Sequence, residues 1–195
     1  MTRRTVRPVG ATVCAGLFLA CASAASPQES LPRPLVGTLE VSFLYMPPSS
    51  GVEPTYHTAM WIEDAKGNLV KTLYVSQELS SGEYRMGEAC PDWTRQAHWE
   101  KAPKAEVDAV TAPTPSVGSE TKIFDLARLG VPAGAYQFKF QVHITELHNV
   151  LHRGTLTVGP ESRTVKLEVV VGPGKMSATD QFVRDVEVRY KAPAK

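Results

Sequence analysis

Cysteine is scarce. Of the three in the 195-residue chain, Cys14 and Cys21 lie in the opening segment and only Cys90 follows, so a disulfide-stapled scaffold within one chain is excluded. Excess charge is missing too: 21 basic residues balance 20 acidic ones, and no net field draws the chain toward nucleic acid or an anionic membrane. The one long apolar run, residues 9–22, is shorter than the ~20 residues that a membrane span requires. No stretch keeps an apolar helical period through three turns. The chain also lacks a Gly-x-Ser-x-Gly elbow, a Cys-x-x-Cys pair and a Gly-x-x-x-x-Gly-Lys phosphate cradle, the strings whose strained turns, paired thiols or backbone amides carry chemistry. Gly172-Pro173-Gly174 follows an apolar strand, yet it has no third glycine and no helix after it, and reads as a turn. These absences point to a protein that is not an enzyme.

What is present begins with an address. Arg3, Arg4 and Arg7 precede the apolar run, which ends in Ala22-Ser23-Ala24. Positive, apolar and small-residue regions in that order are what a signal peptidase reads, so residues 1–24 form a secretory leader and the protein is expected in the periplasm. Leu19-Ala20-Cys21 offers an alternative, a lipoprotein anchored at Cys21. Cleavage leaves 18 basic and 20 acidic residues and a single thiol, Cys90, which is expected to be buried as a small apolar side chain. No membrane span remains. Residues 25–34 hold Pro27, Pro32 and Pro34 and read as a flexible tether. Residues 35–195 are then one domain.

After the tether the period becomes two. Leu39, Val41, Phe43 and Tyr45 alternate with polar residues, as do Thr58, Met60 and Ile62, and residues 64–68 supply turn chemistry before 69–75 returns as the second arm of a hairpin. The clearest strand places Tyr136, Phe138, Phe140, Val142 and Ile144 on one face. Residues 151–158, 165–171 and 182–190 continue the pattern, with Leu167, Val169 and Val188 expected in the core. Seven or eight short, mostly antiparallel strands predict an all-β, Ig-like antiparallel sandwich. Residues 76–120 keep no period and read as one long irregular loop, relieved by a single short helix with Asp92 as N-cap, running to about Lys101. Its Trp93, His98 and Trp99 either lay the loop onto the sandwich or wall a pocket.

Several strings then occur together: Trp61-Ile62-Glu63-Asp64 with Gly67 and Val70-Lys71-Thr72-Leu73, next Asp108-Ala109-Val110-Thr111, next Val131-Pro132-Ala133-Gly134-Ala135-Tyr136, and finally Glu146 with His148. They resemble the predicted periplasmic proteins of domain-of-unknown-function family 2271. The hairpin and the Pro-Ala-Gly-x-Tyr lead into a strand are also similar to the Ig-like domain of flagellar hook-capping proteins. The resemblance implies an exported Ig-like sandwich without established enzyme activity, linked to periplasmic iron or flavin systems.

The expected function is therefore a non-enzymatic accessory or binding module whose partner is a periplasmic protein or small ligand. One alternative is a transition-metal site built from His143, Glu146, His148 and His152. If residues 147–150 form the hairpin loop, Thr145 faces His152, and His143, its diagonal neighbour, shares one polar face with His152. A second alternative is an enzyme with its site in residues 76–120.

Overall fold

Alternation sets the first sheet. In Thr38–Tyr45 (β1) every second residue is buried, because successive side chains of a strand point to opposite faces. The computed structural model describes residues 36–47, 54–145, 148–172 and 182–194; the leader, the tether, Cys21 and Glu146 lie outside them. β1 pairs antiparallel with Gly118–Asp125 (β5) and with Val183–Lys191 (β10), and β10 takes Arg163–Val165 (β8) on its far side, giving the order β5-β1-β10-β8.

The second sheet holds His57–Glu63 (β2), Leu69–Ser76 (β3), Thr111–Ala112 (β4), Gly134–Thr145 (β6), His148–Val158 (β7) and Glu168–Gly172 (β9). Its order is β4-β3-β2-β6-β7-β9, antiparallel throughout except where β3 meets β4. The expected hairpin joins β2 to β3: Asp64 Oδ1 accepts from the amides of Lys66 and Asn68, and Gly67 takes φ +82°. The two sheets close as a sandwich over one core, in which Phe138, Phe140, Val142 and Val188 are fully buried as expected.

Residues 163–172 depart from the reading as one continuous strand. The chain leaves the first sheet after Val165 and joins the second at Glu168. Its crossing passes so close to β7 that a Cβ on Gly154 would lie 2.4 Å from the Lys166 carbonyl oxygen, so only glycine fits there. Alternation runs through the crossing unbroken, which hides it from a period-two reading. Leu167 is only partly buried, and Val169, expected in the core, is 54% exposed. Val169 does lie opposite His152 on the inward face, but the sheets diverge there. β5 escaped the reading because Phe124 is its one buried residue and Ile123 is exposed.

Residues 76–120 are far from irregular. They form the helices Gln77–Ser81 (α1), Pro91–Ala97 (α2) and Lys104–Val110 (α3), with short 3-10 turns at Glu83–Met86 and Trp99–Lys101. Cys90, not Asp92, is the N-cap of α2, and the helix stops short of Lys101 because His98 turns into the left-handed region at φ 44°. This cover shields the outer face of the larger sheet. Trp93 and Trp99 meet edge to face at 5.2 Å beneath it, among Trp61, Val75, Leu79 and Leu151. The indole nitrogens of Trp93 and Trp99 donate to Thr72 Oγ1 and Ser80 Oγ. With both faces covered, β2 is buried along its whole length.

Candidate functional site

Where β7 and β9 diverge from β8 and β10, the sandwich opens into a cleft of about 750 Å³. Its walls are mainly valines, including Val150, Val165, Val169, Val171 and Val183, while Arg184, Asp185 and Glu187 stand along β10. A bulge shapes that wall. Ser42 faces Glu187 and Leu44 faces Arg184, so two residues of β10 oppose Phe43 alone, and Asp185 adopts φ 51°. The imidazole of His152 stands among the valines, with Thr164 the other polar residue of the lining beside the charged groups of β10. The His152 ring stacks on Phe140 at 5.5 Å, and its buried Nε2 has no hydrogen-bond partner. A largely apolar concavity with a few polar groups is the usual form of a small-ligand site.

Burial lowers the His152 proton affinity from the usual 6.5 to about 4, because the charged ring loses its hydration. The unfolded chain therefore binds this proton at higher pH than the native one does. Stability is fully retained above the unfolded value and falls as the pH drops from about 6.5 toward 4. His143 acts in the same direction: burial first, and neighbouring His57 second, hold it down to about 4. Denaturant titrations between pH 7.5 and 4 are expected to show this acid loss. His152→Phe should remove roughly 3 kcal/mol of it and raise stability at pH 7 by ~1–2 kcal/mol, since a ring of similar volume replaces an unpaired polar atom. A lower stability for His152→Phe at pH 7 would mean that Nε2 is satisfied in solution.

His143 and His152, expected to share one polar face, do not. Asn149 faces His143 and Phe140 faces His152 across the β6–β7 ladder, while His148 already pairs with Thr145. The expected register, with Thr145 against His152, is thus corrected; the parity of the pairing changes and the two rings go to opposite faces of the sheet. Glu146 lies outside the described residues. His98, another candidate, is exposed at the end of α2. Among the described residues no group of three or more His, Cys, Asp or Glu side chains is assembled to hold a metal ion.

His143 instead meets a residue that the sequence did not single out. It stands directly opposite His57 on the outer face of the β2–β6 pair, with ring centroids 5.8 Å apart and planes inclined by 16°. Cys90 roofs the same strands: its Sγ lies 3.4 Å from the carbonyl oxygens of both His57 and Gln141. Burial raises the thiol well above the usual cysteine range. Asn149 fixes this arrangement, accepting from the Cys90 amide at 3.0 Å and donating to the Glu88 carbonyl at 2.9 Å.

Fold and cleft together define an all-β sandwich domain with a helical cover over one sheet and a ligand-sized opening between the two. The chain belongs to the DUF2271 family, described as predicted periplasmic protein, whose match spans residues 46–172. No curated protein and no solved structure matches it significantly. No helix among the described residues is long and apolar enough to cross a membrane.

Proposed function

We propose that this is an exported, non-enzymatic accessory module of Ig-like build that binds an apolar small molecule in the inter-sheet cleft. The leader at residues 1–24 supplies export, with anchoring at Cys21 as the alternative route of retention. The cleft carries the reading, because exposed Val169 and buried His152 stand opposite each other in the β7–β9 ladder and both line it. An apolar wall favours hydrocarbon, and the polar groups at its edge, Thr164 and the β10 residues Arg184, Asp185 and Glu187, fix the position of one hydrogen-bonding group. The natural partner is then a largely apolar molecule with one hydrogen-bonding group.

Titration of the mature protein with N-phenyl-1-naphthylamine, a neutral apolar fluorophore, tests this. The expected result is saturable binding to one site in the low micromolar range, of order −8 kcal/mol. Val169→Trp fills the cleft from an exposed position and should weaken binding at least tenfold while leaving the fold intact. Non-saturable fluorescence, or equal binding by the tryptophan variant, overturns the proposal.

A further inference from the structure

We propose that β5 is a self-pairing edge, through which a second copy of this chain joins antiparallel and continues the smaller sheet. β5 stands first in the order β5-β1-β10-β8, and its ladder to β1 runs from Gly118 to Asp125 without a shift of register. Among the described residues β1 is the only strand it pairs with. Alternate residues of β5 therefore turn their backbone N–H and C=O groups away from β1, in a straight row that can template another strand. Such edges are usually blunted by proline, by a bulge or by charges that meet their like. β5 holds no proline and no bulge, and Ile123 on its outer face is 65% exposed.

Its charges select both the partner and the register. Glu120 and Lys122 share the face on which Phe124 is buried, and they form an ion pair at 3.1 Å. The Tyr74 ring, 5.0 Å from the Lys122 ammonium, holds that side chain at the rim of the core. A two-fold axis that joins antiparallel edges sets inner face beside inner face, so the residue on the axis meets its own copy. Centring on Glu120 opposes two carboxylates, and centring on Lys122 opposes two ammonium groups; both are unfavourable. Centring on Ile123 sets Lys122 against Phe124. Only Thr121 on the axis places Glu120 opposite Lys122 of the second copy, and Lys122 opposite Glu120 of the second copy, with the two threonines paired between them. Residues 118–124 then pair on each side, fewer than the ~20–30 residues a side of a standard interface, which sets the expected dissociation constant at ~10–100 µM. The ligand cleft is lined from β8, β10, β7 and β9, and β8 is the opposite edge of the sheet, so the cleft stays open in the dimer.

Sedimentation equilibrium of the tag-free mature protein between ~5 and ~500 µM gives the test, and a monomer–dimer equilibrium is expected. Glu120→Lys and Lys122→Glu should each weaken association at least tenfold, because like charges then meet across the axis. An equimolar mixture of the two variants should associate again, since each lysine of one strand faces a glutamate of the other. Exposed cysteines check the register independently of those charge reversals. Thr121→Cys should form a disulfide-linked dimer on mild oxidation and Ser119→Cys should not, because only position 121 meets its own copy within disulfide reach, and the native Cys90 is buried. A mass that stays monomeric at the highest concentration, a variant mixture that fails to associate, or equal cross-linking at positions 119 and 121 overturns the proposal.

Discussion

Replacing Lys139 with methionine is expected to lower stability by about 3–5 kcal/mol. The methylenes of lysine are retained in that change, but the buried carboxylate of Glu63 loses its counter-charge. Glu63 is 3% exposed, and its Oε1 lies 2.7 Å from Lys139 Nζ while accepting from Trp61 Nε1 at 2.7 Å and Gln96 Nε2 at 2.9 Å. Those two donors belong to β2 and α2, so the carboxylate ties the helical cover to the sheet. Adding Glu63→Gln to Lys139→Met keeps an acceptor for the indole and removes the stranded charge. Most of the loss should return in that double variant, and the coupling can be read from urea unfolding of the wild type, the two single variants Lys139→Met and Glu63→Gln, and the double variant at pH 7. If Lys139→Met alone costs less than ~1 kcal/mol, the pair behaves as a surface ion pair and the account fails.

Phe140→Ala is expected to cost a similar ~3–5 kcal/mol. Its ring is fully buried, with the Phe43 ring 5.0 Å away on one side and the His152 ring 5.5 Å away on another. Truncation removes the transfer free energy of the ring and leaves a void that the stiff β6–β7 ladder collapses into poorly. Phe140→Leu should cost far less, because it keeps most of the volume. Equal losses for the two variants would show that shape rather than volume governs the position.

The contrast between Phe140 and His143 shows what a single sequence reveals here. Alternation alone placed Phe138, Phe140 and Val142 in the core, since one face of β6 is apolar without a break. The other face, with Lys139, Gln141 and His143, reads as solvent-facing, and no local signal says that α2 covers it. Polar side chains there are paired to the cover instead of to water: Gln141 exchanges hydrogen bonds with the amide and carboxylate of Asp92. Nor does the sequence disclose His57 as a partner, because strand register between distant segments depends on which strands are neighbours. Short helices such as α2, seven residues long, are set by tertiary packing more than by periodicity. Val169 marks the same limit from the other side. Its face was legible, and the divergence of the sheets was not.

One last consequence follows from β2, β3 and β7 being shared between two cores. Consecutive residues such as Ile62 and Trp61 belong to opposite sides of one sheet, the first packed in the inter-sheet core and the second under the helices. Neither core can melt while the other keeps these strands in place. The helical cover, although built from three short segments that would not persist alone, is therefore bound into the cooperativity of the whole domain, and partial unfolding that exposes Trp93 while sparing Phe140 is disfavoured.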